Sequence, residues 1–146
     1  MKKMILSILC CGFILLGLTG CGSTIGGVSN IEISDHDILV SIKEGTLRNE
    51  GATFIMENNS GRTLYYGEGY DLEIKQDDSW YEINVGPMSV HPILLKLDNH
   101  RSIELDTVWD HSYGVLEPGE YRFLKSVSFE NDLSENFYIG IEFTIE

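Results

Sequence analysis

From Ile38 onward, apolar and polar positions alternate with a period of two, and no stretch sustains a helical period over about ten residues. In DILVSIKEG, Ile38, Val40 and Ile42 share one face while Leu39, Ser41 and Lys43 share the other. GATFIMENN turns Ala52, Phe54 and Met56 inward, and YDLEIKQ does the same with Tyr70, Leu72 and Ile74. The DDS that follows is a turn into WYEINV, so these two segments read as a hairpin. HPILLKL comes after a Gly86-Pro87 break, and its Pro92 predicts an edge position or an irregular entry. RSIELDTVW alternates Ile103, Leu105, Thr107 and Trp109; GEYRFLKSVSF alternates Tyr121, Phe123, Lys125 and Val127. The closing NFYIGIEFTIE sets Phe137, Ile139, Ile141, Phe143 and Ile145 against Tyr138, Glu142 and Thr144. Seven to nine short strands joined by polar turns such as ENNSGRT predict an all-β fold, an antiparallel β-sandwich.

The first thirty residues follow another pattern. Lys2 and Lys3 precede an apolar run from Met4 to Leu18, the layout of a secretory signal. The run is short for a membrane span, which needs about 20 apolar residues. Where an Ala-x-Ala site would stand, the chain has Leu18-Thr19-Gly20-Cys21. That tetrapeptide resembles the lipobox of bacterial lipoproteins, in which the cysteine sulfur takes a diacylglycerol and the signal is cut just before it. Two acyl chains anchor stably where one binds only marginally, so residues 1–20 are expected to be a signal peptide and Cys21 the lipid attachment site. Residues 21–30, the cysteine with a Gly-, Ser- and Thr-rich stretch, read as a flexible tether spanning about 15–18 Å. Residues 31–146 then form the single folded domain.

Charge narrows the partners. The chain carries 23 Asp and Glu against 10 Lys and Arg, a formal net charge of −13, which becomes −15 once Lys2 and Lys3 leave with the signal. Phosphate binding needs clustered Lys and Arg, so no nucleic-acid partner is expected, nor adsorption of the protein surface to anionic lipid. Attraction to cations fits the balance. The other two cysteines, Cys10 and Cys11, sit in the apolar leader, so the domain is expected to stand without disulfides.

Catalytic constellations do not emerge. The chain has no Gly-x-Ser-x-Gly elbow, His-Glu-x-x-His pair or phosphate-cradling Gly-rich loop. His36, His91, His100 and His111 are far apart in sequence; they could meet around a metal, but surface histidines are the simpler reading. The acidic groups SDHD and KQDDS lack the alternating Asp and Asn positions and the later Glu of a calcium loop, and read as solvated turns. Asn58-Asn59-Ser60 reads as turn chemistry despite matching a glycosylation triplet. One cluster suits binding: in LYYGEGY, Tyr65, Tyr66 and Tyr70 stand beside Glu68, Asp71 and two glycines. Tyrosines give broad amphipathic area at low entropy cost and next to acids suit cationic or sugar-like ligands, although strand packing explains them equally well.

The stretch from IKEGTLRNEGATFIMENNSGRTLYYGEGYDLEIKQDDSWYEI through YGVLEPGEYRFLKSV to FYIGIEFTIE resembles the bacterial immunoglobulin-like domain of lipoproteins from Gram-positive bacteria. The resemblance covers about Ile38 to Glu146 and rests on Glu57-Asn58-Asn59, Tyr66-Gly67, Tyr70, Trp80 and Leu116-x-Pro118-Gly119-x-Tyr121-Arg122. It implies an immunoglobulin-like sandwich and no catalytic residue. Within it, Pro118-Gly119 is expected to form a tight turn with Gly at positive φ, Tyr121 to make a tyrosine corner, and Trp80 to anchor the core between the sheets. Tyr121, Phe123 and Ile141 are expected to be buried with it.

The expected function is therefore a non-enzymatic, membrane-anchored extracellular lipoprotein. Its Ig-like domain binds a cationic or protein partner at the cell envelope and uses no cofactor or metal. The alternative is an inhibitor or protective lipoprotein that blocks a toxic enzyme or cationic peptide.

Overall fold

A computed structural model describes residues 23–86, 93–131 and 134–146. The described residues form ten strands and no helix: β1 (Thr24–Val28), β2 (Ile38–Ile42), β3 (Gly51–Asn58), β4 (Leu64–Tyr66), β5 (Asp71–Gln76), β6 (Ser79–Asn84), β7 (Leu95–Leu97), β8 (Arg101–Val108), β9 (Gly119–Ser128) and β10 (Asn136–Ile145). They make two antiparallel sheets. In the larger, β9 pairs along its whole length with β10. On its other side β9 pairs with β5 over Tyr121–Leu124 and with β4 over Val127–Ser128. β6 and then β1 extend this sheet beyond β5, and β7 extends it beyond β4. The smaller sheet is β2-β3-β8.

The period-two pattern fixes what each sheet buries. Ala52, Phe54 and Met56 face inward from β3, and Tyr121, Phe123 and Val127 from β9. Phe54, Leu72, Trp109, Phe123 and Phe143 form the larger core cluster, with Ile141 half-buried against it. Met56, Leu64, Tyr66, Val127 and Ile139 form a second cluster. Asp77 and Asp78, both at positive φ, make the hairpin turn between β5 and β6. Asn58 is fully buried: its Nδ2 donates to the carbonyls of Arg62 (2.8 Å) and Leu97 (2.9 Å), and its Oδ1 accepts from Ser60 Oγ (2.6 Å). That is turn chemistry, as its neighbours in the sequence imply. β7 lies at a sheet edge, as expected, while Pro92 itself is outside the described residues.

Four expectations are corrected. The ten strands exceed the seven to nine expected because β1 and the three-residue β4 carry too few alternating apolar positions to be seen in the pattern. β1 runs through the stretch expected to be a flexible tether: its backbone pairs with β6, with Gly26 under the Asn84 side chain. Trp80 is not a core anchor. Its register opposite Lys75 puts it on the outer face of the larger sheet, half-buried beneath the Arg122 guanidinium at 4.8 Å. The core tryptophan is Trp109, whose Nε1 donates to the Asn49 carbonyl at 2.7 Å. Finally, Gly119 is absent from the positive-φ residues and begins β9 directly. The tyrosine corner itself forms, with Tyr121 Oη donating to the Glu117 carbonyl at 2.8 Å.

The segment after β1 crosses the outer face of the larger sheet. Ser29 N donates to the Trp80 carbonyl on β6 (2.8 Å), and Ser34 N to the Tyr138 carbonyl on β10 (2.7 Å). Between them, Arg122 Nη2 donates to the Ile31 carbonyl at 3.1 Å. Leu124 is fully buried beside Gly140, where a Cβ would collide with the Phe123 carbonyl at 2.2 Å.

Candidate functional site

Lys125 occupies an inward position of β9, and its side chain is buried. Its Nζ donates to the carbonyls of Gly67 (2.6 Å) and Gly69 (2.8 Å) and lies 5.5 Å from the Tyr66 ring centroid. The lysine thus pins the Gly67–Gly69 loop to the sheet. Burial pulls its pKa down to about 8, against the opposing pull of Glu68 and Asp71. Around it opens a cleft of about 300 Å³, with Tyr66, Tyr70 and Phe123 on its walls and Glu68, Glu104 and Asp106 among its polar groups.

Two of the three tyrosines singled out by the sequence meet here. Tyr66 is almost wholly buried, so it belongs to the core and gives the cleft a wall, not an exposed contact. Tyr70 is half-buried; it stacks on Tyr113 (5.7 Å) and Phe123 (5.6 Å), and burial followed by the Asp110 charge pushes its hydroxyl up to about 12. Tyr65 alternates with Tyr66 on β4 and is half-buried on the other face, opposite Lys96 and Ser128. Glu104 and Asp106 come from β8 on the opposite sheet, which no local motif could announce. Glu104 is paired with Lys43 at 2.8 Å, and Asp106 accepts from Thr53 Oγ1 at 2.7 Å. A lysine at an inward position of an alternating strand was the one available signal for Lys125.

The outer face of the same sheet holds a second polar group that sequence reasoning missed. Arg122 Nε donates to Glu73 Oε2 in a buried ion pair, with Trp80 stacked against the guanidinium. Glu73 Oε1 is buried without a partner.

The three histidines among the described residues do not converge. His36 packs on Phe137 at 4.5 Å, His100 Nδ1 is 3.5 Å from Asn59 Oδ1, and His111 lies 3.7 Å from Asp110. His91, like Cys21, lies outside the described residues. Among the described residues, no group of three or more His, Cys, Asp or Glu side chains is placed to hold a metal ion. The SDHD acids flank a turn in which His36 and Asp37 have positive φ and Asp37 N donates to Asp35 Oδ1 at 3.1 Å.

Comparison with known proteins agrees with this architecture. A search of curated proteins found no match. Among solved structures, a β-glucosidase involved in saponin metabolism from intestinal bacteria is similar over 86% of this chain and 16% of its own, at 16% identity and a TM-score of 0.29. A likeness that distant carries no argument about activity. The family model described as a bacterial Ig-like domain matches residues 34–138, from the turn before β2 into β10. With its two antiparallel sheets and its tyrosine corner, the chain belongs to the bacterial Ig-like domain family.

Proposed function

We propose that the protein is a lipid-anchored, non-catalytic binding domain of the bacterial cell envelope, held on the extracellular face through Cys21 and directed toward a cationic partner. The observation that carries the reading is the chemistry of the Lys125 cleft. Its walls are aromatic, Glu68 lines it, Glu104 and Asp106 border it while pairing with Lys43 and Thr53, and its one ammonium is already bonded to two carbonyls. Such a cleft attracts positive charge and offers no paired nucleophile and base to act on it. The formal charge of −13 extends the attraction beyond the cleft. The anchor rests on the lipobox-like Leu18-Thr19-Gly20-Cys21. With β1 starting at Thr24, only Gly22 and Ser23 separate Cys21 from the sheet, so a lipid there would hold the sandwich against the bilayer.

The test is capture of partners from detergent-solubilised envelopes by the chain and by a Glu68→Gln, Tyr70→Ala double variant, with hydrolase substrates assayed in parallel. A resident envelope protein retained by the wild type and lost by the double variant supports the reading. Capture only of an added enzyme or cationic peptide favours the protective-inhibitor alternative. Turnover by the purified chain that one substitution abolishes would overturn the non-catalytic claim.

A further inference from the structure

At the β1 edge of the larger sheet, two apolar side chains point the same way from one short strand. Directly opposed residues of a ladder share a face. Ile25 is the register partner of Ile83 on β6 and Val28 that of Tyr81, so both project from the side of the sheet on which Ile83 packs against the core. Residues three apart in a regular strand would point to opposite sides. The register shift between Ile25 and Val28, where Gly26 and Gly27 stand, turns them to one side. They are left uncovered there, and each is more than half exposed.

The loop ahead of β9 completes an apolar groove beside them. Ile25, Ile74, Ile83, Val115 and Leu116 line a space of about 140 Å³, and Val115 is itself more than half exposed. Glu117 is the one charged residue that lines it. The two stretches of chain that frame the groove are uncharged: although the protein carries 23 acids, none lies within residues 22–30 or 112–116, and no Lys or Arg does either.

An exposed apolar patch marks a surface that another body covers, and the point where the chain enters the fold identifies that body. Ser23 lines the groove, and Cys21 stands two residues before it, within about 7 Å. A diacylglycerol on Cys21 therefore brings the bilayer to the mouth of the groove. We propose that the β1 edge together with Val115 is the membrane-contact face of the domain, with Ile25, Val28 and Val115 resting in the bilayer that holds the lipid on Cys21; the proposal rests on the anchor proposed above. An acidic protein and anionic lipid repel each other, so the domain settles on the part of its surface that carries neither sign of charge. Two acyl chains supply the retention, and the patch supplies the orientation.

The test uses the full chain produced in a bacterial host, purified from its membranes and weighed intact to read the group on Cys21. Once Cys21 is lipidated and the leader removed, no thiol is free, so one cysteine introduced by Ile25→Cys, Val115→Cys or Asn136→Cys carries a single NBD fluorophore. Asn136 is the control: it pairs with Ser128, at the end of β9 about 30 Å from Gly119. In phosphatidylglycerol vesicles, emission from positions 25 and 115 should shift to the blue and be quenched by doxyl-labelled lipid, while position 136 shows neither. Adding Ile25→Ser and Val28→Ser to the Val115→Cys chain should abolish quenching at position 115 without loss of the lipid. Four outcomes overturn the proposal while the anchor stands: no quenching at position 115, equal quenching at position 136, quenching that survives the serine substitutions, or a blue shift without quenching, which assigns the patch to a second copy of the chain. A mass without diacylglycerol on Cys21 overturns the anchor and this proposal with it.

Discussion

Phe54 and Phe123 lie face to face across the two sheets, with ring centroids 3.9 Å apart and planes inclined by 16°. Neither is more than 1% exposed. Each is reached by the alternation of its own strand, and Phe143, Trp109 and Tyr70 pack around the pair.

Truncating this contact leaves a cavity that the rigid sheets cannot close. Phe123→Ala is expected to cost about 3–5 kcal/mol. Trp80→Ala, which removes an outer-face cation–π contact, is expected to cost about 1 kcal/mol. Urea denaturation of the two variants checks the ranking. Equal losses, or a larger loss at Trp80, would contradict the placement of the core.

The tyrosine corner predicts a smaller effect. Tyr121→Phe keeps the buried ring and removes only the hydroxyl donor to the Glu117 carbonyl, so stability should fall by about 0.5–1.5 kcal/mol. Thermal unfolding measured beside Tyr121→Ala separates hydroxyl from ring, and the alanine variant should lose several times more.

Much of this fold is legible in the sequence because a half-buried strand writes its faces at every second residue. Ile38, Val40 and Ile42 on β2 and Ala52, Phe54 and Met56 on β3 face inward as the alternation predicts. Where the information is non-local, the pattern is silent. Trp80 and Trp109 look equally suited to the core; only the β5–β6 register, set by the Asp77-Asp78 turn, turns Trp80 outward. β4, with three residues, is too short to show that Tyr66 faces in and Tyr65 out. The cleft and the outer-face ion pair are assembled from segments far apart in the chain: Lys125 reaches the Gly67 and Gly69 carbonyls, and Glu73 meets Arg122 across a ladder. No spacing of residues announces either.

Lys125 imposes a pH dependence. Burial lowers its pKa to about 8, against about 10.4 in an unfolded chain. Between those values the unfolded chain holds a proton that the folded chain has released, so stability rises with pH through this window. Tyrosines act in the opposite sense at higher pH: burial pushes Tyr70 up to about 12, so from about pH 10 the unfolded chain ionises first and stability falls. Denaturation curves between about pH 7 and pH 10 should show a rise for the wild type that Lys125→Met lacks. A rise that survives the substitution would assign it to another group.

Membrane retention should depend on one sulfur. Cys21→Ala removes the only thiol outside the apolar leader, so the variant should leave the membrane fraction and lose labelled palmitate. Retention of both would contradict the anchor.

Binding driven by the acidic surface must weaken with salt, since at about 0.15 M the Debye length is only about 8 Å. The most direct measurement is a titration of the full-length chain in nonionic detergent against the captured envelope partner, at low and at physiological ionic strength. The account predicts saturable binding whose affinity falls as salt rises and falls again in the Glu68→Gln, Tyr70→Ala variant. Binding indifferent to both salt and the variant would contradict it.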